Sequence, residues 1–199
     1  MPKVSPEHLK DRRDAIVRAA RTVFAENGFD GTSIGDIARV AGTSDGLIYR
    51  YFDGKRGLLA AALESFYGEM LAQNETAIDA QPDYRSKLAT LIELHIAVFA
   101  TDIGMCRLFI TEVRNMEDYV GSTAQALNRR YTALLSPILD AGIAEGVLAP
   151  DINRKLVRDM LFGGIEHIAW GHISAGHPID VGKVASIVAI TFLEGLSAL

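Results

Sequence analysis

Ile16, Ala19, Ala20, Val23 and Phe24 stand at i, i+3, i+4, i+7 and i+8, a spacing that lines one face of an α-helix. The same period returns in Ile34, Ile37, Ala38 and Ala41, and again in the stripe Leu58, Leu59, Ala62, Leu63, Phe66 and Met70. Punctuation separates the repeats. Gly28 takes the place of a left-handed C-cap after a helix over Arg12 to Asn27, and Ser33 with Asp36 makes a capping-box-like start to the next. Gly42 stops that second helix after about eight residues. Ser44 is placed to cap a third helix ending near Tyr51-Phe52, and Asp53 to cap a fourth. Beyond the connection Gln81-Pro82-Asp83, the pattern predicts helices over 84–101, 104–115, 118–145, 153–175 and 180–197. No alternating strand pattern of useful length, internal repeat or low-complexity tract is present, so the expected class is all-α with about nine helices.

The 199 residues suffice for one ordinary domain or for a small one fused to a larger. No apolar run approaches the ~18 residues of a membrane span, and MPKVSPEHLK lacks the apolar core of a secretory signal. A single cysteine, Cys106, forms no internal disulfide, which makes a reducing cytoplasm the expected compartment. The net charge of -5 is unevenly spread. Residues 1–56 hold ten Lys/Arg against eight Asp/Glu, while residues 57–199 hold ten against seventeen. A mildly basic head and an acidic body are therefore expected, divided at 56/57.

Two short helices joined by Gly42-Thr43-Ser44 form a helix-turn-helix candidate. With Asp45 at zero and 100° per residue, Leu47, Ile48, Tyr51 and Phe52 fall between roughly 200° and 340°. Asp45, Gly46, Tyr49 and Arg50 fall between roughly 0° and 140°. One side is set to pack and the other to meet a partner. An exposed Arg50 can read guanine in a major groove, and the Tyr49 hydroxyl can reach a phosphate. Thr32 and Ser33 at the start of the second helix, and Lys55 in the first turn of the fourth, extend the candidate phosphate contacts. Lys10, Arg12 and Arg13, expected to precede the first helix, could add to them.

The stretch FAENGFDGTSIGDIARVAGTSDGLIYRYFDGKRGLL, Phe24 to Leu59, resembles the TetR family of transcriptional regulators. The resemblance implies an N-terminal three-helix DNA-binding domain, residues 1–56, and a C-terminal ligand-binding and dimerisation domain, residues 57–199. It further implies that Thr32, Ser44, Tyr49 and Lys55 contact phosphates and that Asp45, Gly46 and Arg50 lie at or near base edges. Asp45 departs from the family, which often has a lysine or a neutral residue there. It either accepts from a cytosine amino group or points away from the DNA.

The family's larger domain binds a small molecule and dimerises through its last two helices. The final segment VGKVASIVAITFLEGLSAL is apolar almost all round, and Gly163, Gly164 and Gly171 precede it, a composition suited to a two-fold helix-to-helix dimer. The segment RKLVRDMLFGGIEHIAWGHISAG resembles the fatty-acid-responsive branch, whose members release DNA on binding acyl-CoA. That resemblance implies a small hydrophobic effector, with Phe66, Phe99, Phe109, Tyr131, Phe162 and Trp170 lining its site. Arg114, with Arg107, Arg129, Arg130 or Arg158, would meet the coenzyme A phosphates. The other reading of these residues is ordinary core and solvated surface.

His95, His167, His172 and His177, with Cys106 and Glu166, invite a metal reading. Steps of five residues turn about 140° round a helix, unlike the i, i+4 pairing of a helical zinc site, so neither a metal nor any other cofactor is expected. The expected function is a TetR-type repressor that binds near-palindromic double-stranded operator DNA as a homodimer, away from any membrane, and performs no enzyme chemistry. Two alternatives stay open: a DNA-binding dimer without a small ligand, and an all-α metal-binding enzyme using the histidines.

Overall fold

The structure, a computed structural model, describes residues 6–197. Among them are ten α-helices and no strand. In chain order these are α1 (Pro6–Asn27), α2 (Ile34–Ala41), α3 (Asp45–Tyr51), α4 (Gly54–Asp79), α5 (Tyr84–Thr101), α6 (Ile103–Thr111), α7 (Thr123–Thr132), α8 (Leu135–Ala144), α9 (Arg154–Ala175) and α10 (Val181–Ser197). A 3-10 turn, Val113–Asn115, follows α6. The class is all-α, as the periodicity required. Met1 to Ser5, part of the stretch inspected for a signal, and the closing Ala198 and Leu199 lie outside the described residues.

Contacts divide the chain into two units. The first joins the residues up to Glu69 with Gly104–Leu127, and the second joins Met70–Ile103 with the residues from Asn128 onward. In the first, α1 packs on α2 and α2 on α3, burying Ile16, Ala20, Phe24, Ile37, Ile48 and Leu58. In the second, α5 is central, packed by α8, α9 and α10 over its buried Leu88, Leu91, Ile92 and Ile96. Gly142 on α8 permits a close approach there, since a Cβ would lie 2.8 Å from both the Tyr84 ring and the Leu148 side chain. No single helix among the described residues is long and apolar enough to cross a membrane.

Three boundaries differ from the sequence expectation. α1 starts at Pro6, with Glu7 in its first turn, because proline is tolerated where helix N–H groups have no partner and an acid there suits the helix dipole. Lys10, Arg12 and Arg13 are consequently exposed residues of α1 rather than a leader to it. The expected helix over 104–115 ends at Thr111 and gives way to the 3-10 turn. The expected long helix over 118–145 is split. Gly121 has φ +85, and Ser122 Oγ accepts the Gln125 N–H at 3.1 Å to start α7. The break at Ala133-Leu134 puts Pro137 in the first turn of α8, where its missing N–H and the clash with residue i−4 carry no penalty.

Candidate DNA-binding surface and effector site

Capping sets the helix-turn-helix geometry. Ser33 Oγ accepts the Asp36 N–H at 3.1 Å, and the Asp36 carboxylate accepts from the Ser33 N–H at 3.2 Å and from its hydroxyl at 2.6 Å. Arg39 donates to the same carboxylate at 2.9 Å. The Ser33 hydroxyl first, and then Arg39, hold the Asp36 carboxyl below its ordinary range. Gly42, at φ +64, turns its N–H back to the carbonyls of Ala38 and Arg39, which a residue with a Cβ would do under strain. Ser44 Oγ then accepts the Leu47 N–H at 3.4 Å and opens α3.

On α3 the two predicted faces are present. Ile48 is 0% exposed, Leu47 and Tyr51 are half-buried, and Phe52 is buried just past the helix end. Tyr49 is 60% exposed, and Asp45, Gly46 and Arg50 are exposed beside it. Space around Gly46 is open, so the backbone of α3 is uncovered there. The Asp45 carboxylate lies 3.7 Å from where a Cβ on Gly35 of α2 would be.

Thr32 and Lys55 face the other way. Thr32 is 3% exposed, and its hydroxyl donates to the Gly28 carbonyl at 2.6 Å. Lys55 Nζ donates to the carbonyls of Phe29 at 2.8 Å and Thr32 at 3.0 Å, and lies 4.3 Å from the centre of the Phe29 ring. Both side chains are engaged in fixing the connection between α1 and α2 to the start of α4. Of the predicted contact residues, Ser33, Ser44, Asp45, Gly46, Tyr49 and Arg50 are exposed.

The expected effector residues fall into separate sets. In the first unit, edge-on ring contacts link Phe66 to Tyr67, Tyr67 to Phe109 and Phe109 to Tyr119, with centroids 5.5, 5.7 and 6.2 Å apart. The Arg21 guanidinium lies 5.2 Å above Phe66 and pairs with Glu69 at 2.6 Å. A cavity of about 440 Å³, lined among others by Arg56, Leu59, Leu63, Val113, Asp118 and Ser122, opens in the same unit. Arg107 and Arg114 are exposed.

In the second unit, Phe99, Tyr131 and Phe162 converge on His95, with ring centroids 5.3, 5.5 and 4.8 Å away. His95 Nδ1 is 3.1 Å from the Tyr131 hydroxyl, which also accepts from Asn74 Nδ2 at 3.4 Å. Burial holds the His95 imidazole neutral, pushing its pKa down to about 3. The sequence offers His95 only as a candidate metal ligand and does not single out Asn74. The signal was available, since His95 shares its helix face with Leu91, Ile92, Ile96 and Phe99. Trp170 is half-buried on α9 outside this ring cluster, Arg158 pairs with Asp159 at 2.7 Å, and Arg129 and Arg130 are exposed. Among the described residues no group of three His, Cys, Asp or Glu is placed to hold a metal ion.

α9 and α10 present apolar side chains outward, with Met160 58% and Ile187 57% exposed and Leu156, Ile168 and Ile190 alongside. On the same helix α9, no atom approaches within 4 Å of where Cβ atoms on Gly163, Gly164 and Gly171 would stand.

Residues 16–62 match the family model described as bacterial regulatory proteins, tetR family, and residues 64–195 match that of the YsiA-like protein, C-terminal region. The chain is 26% identical over 181 residues to the fatty acid metabolism regulator protein of Bacillus subtilis (strain 168), covering 91% of this chain and 93% of the relative. It is 25% identical over 191 residues to the HTH-type transcriptional repressor KstR2 of Rhodococcus jostii (strain RHA1), covering 94% and 92%. Among solved structures it is similar to the regulator FadR from Bacillus subtilis in complex with stearoyl-CoA, with a TM-score of 0.84 and 26% identity over 92% of this chain and 98% of that one.

Proposed function

Because the chain belongs to the TetR family of bacterial regulatory proteins, we propose that it is a repressor that grips operator DNA as a homodimer and lets go when a fatty acyl-CoA binds its body. The observation that carries the DNA half is the outer face of α3, where Tyr49 and Arg50 stand exposed while Ile48 and Phe52 anchor the helix from behind. Residues 1–56 act as the DNA-binding head and residues 57–199 as the ligand-binding and dimerising body. Arg50 reads a base edge, and Tyr49, Ser33 and Ser44 contact the phosphates on either side.

The exposed apolar faces of α9 and α10 support the dimer, since solvent is an unfavourable partner for Met160, Ile187 and Ile190 together. Closure by a two-fold axis presents two copies of α3 to half-sites about one helical turn of DNA apart. The effector class rests on likeness to a regulator solved with stearoyl-CoA and to one described as governing fatty acid metabolism. Ligand binding favours a set of conformations whose two heads no longer match the half-site spacing, and the operator affinity lost equals the ligand's preference for that set. The protein acts by binding alone.

The test is an electrophoretic shift with DNA flanking the protein's own gene, repeated with acyl-CoAs of graded chain length. A shift that one range of chain lengths abolishes is the expected result. Release by no acyl-CoA overturns the effector, and failure to bind any such fragment at low salt overturns the repressor.

A further inference from the structure

We propose that His95 is the polar reader of the effector: its Nε2 donates a hydrogen bond to the acyl carbonyl of a thioester, so that the site selects for a carbonyl-bearing chain and not merely for an apolar one. This inference rests on the acyl-CoA reading above and names the atom that would recognise the thioester end of the chain.

One buried polar atom of His95 lacks a partner. His95 Nε2 is out of contact with solvent and forms no hydrogen bond, although an imidazole nitrogen removed from water nearly always has one. Its surroundings are three rings, Phe99 from α5, Tyr131 from α7 and Phe162 from α9, which supply apolar contact and leave Nε2 unmet. The opposite nitrogen is tied down. Asn74 on α4 donates to the Tyr131 oxygen, and that hydroxyl stands 3.1 Å from Nδ1. In the proposed arrangement the Tyr131 hydroxyl, which accepts from Asn74, donates in turn to Nδ1, and the imidazole proton stands on Nε2. Four helices thus place one hydrogen-bond donor inside an aromatic enclosure.

A neutral donor in such a place fits a neutral acceptor. A carboxylate would have to lie there as a charge without a counter-ion, whereas a thioester carbonyl needs only the one N–H. The burial that keeps His95 uncharged works in the same direction. Asn74 and Tyr131 are positioning residues, since they fix the tautomer without being required to touch the ligand.

The experiment compares two probes that differ at one group, stearoyl-CoA and its S-octadecyl thioether analogue, which has no carbonyl. Binding to the full-length protein is measured by calorimetry and by release of operator DNA. The wild type should prefer the thioester by about tenfold or more, the scale of a buried donor left unmet. His95→Phe should bind both probes alike while still gripping the operator. If that variant fails to fold, Tyr131→Phe serves, because it removes the hydroxyl that fixes the tautomer and should lower the preference with the rings in place. Equal binding of the two probes by the wild type, or an undiminished preference in a folded variant, overturns the role of His95 and leaves the acyl-CoA reading standing. Binding of neither probe overturns both.

Discussion

Glu112 Oε2, just beyond α6, accepts the backbone N–H of Phe29 at 2.7 Å, which bonds the end of α6 to the turn that closes α1. Gly28 makes the contact possible. At φ +74 it turns the chain after α1, and a Cβ there would run into the Glu112 carboxylate. Gly104, at the other end of α6, lies so close to α1 that a Cβ would be 2.6 Å from the Ala25 carbonyl oxygen. Two glycines and one carboxylate thus hold α6 against α1 within the unit that carries the helix-turn-helix.

Glu112→Ala should therefore destabilise the protein by about 1 to 3 kcal/mol, the range for a partly buried N–H that loses its acceptor. Gly28→Ala should cost more, because the left-handed conformation and the collision add to one another. Urea unfolding of the two variants checks both, and a Gly28→Ala loss of no more than the left-handed strain, about 1 to 2 kcal/mol, would mean that Glu112 swings aside freely.

Tyr49 and Phe52 are three residues apart and should behave oppositely. Tyr49→Ala is expected to weaken operator binding while the melting temperature stays near wild type, since most of its side chain is in solvent. Phe52→Ala should lose about 3 to 5 kcal/mol of stability, because Phe52 is buried and also carries Arg13 above its ring at 5.3 Å. A stability loss at Tyr49 as large as that at Phe52 would show the faces to be misassigned.

Lys55 and Arg50 should respond differently to substitution. With two carbonyl hydrogen bonds and a ring contact to lose, Lys55→Met should lower the unfolding free energy by about 1 to 3 kcal/mol, while Arg50→Ala should leave it unchanged and reduce operator affinity. Melting curves set beside binding isotherms at two salt concentrations distinguish the cases.

This contrast also marks what was legible in the sequence. The faces of α3 follow from a period of 3.6, because each residue's side is fixed by its neighbours within two turns, and Ile48 and Tyr49 fell where the angles put them. Ser33, Gly42 and Ser44 were equally readable, since a cap acts on residues three or four away. The intramolecular partners of Lys55 and Thr32 were not, because they are set by tertiary packing: Lys55 bonds a carbonyl 26 residues back. The same holds for the His95 cluster, whose members come from four helices. Pro137 is the instructive miss, for the rule that breaks a helix before it was available from the sequence alone.

The outward faces of α9 and α10 should be a contact between copies. Met160→Glu or Ile187→Glu places a charge where an apolar neighbour is expected and should convert the dimer to monomer in sedimentation experiments, with operator affinity falling as the second half-site is lost. A variant that stays dimeric and binds DNA normally would move the interface elsewhere.

Acid stability should report on His95. Its pKa in the folded protein is about 3, below the ordinary value of 6.5, so between these limits the unfolded chain takes up a proton that the folded chain refuses. The unfolded state then binds more protons, and stability must fall as the pH drops from about 6.5, by up to about 1.4 kcal/mol per pH unit. Asp36, Asp83 and Asp159, whose hydrogen bonds hold their carboxyls below 3.8, lose their contributions only in more acidic solution. Denaturation between pH 4.5 and 7, compared between the wild type and the variant His95→Phe, therefore reads this histidine. The wild type should lose stability steadily across that window, and His95→Phe should flatten the profile even if it starts from a lower value. A slope unchanged in the variant would assign the acid sensitivity to another group and return His95 to ordinary solvation.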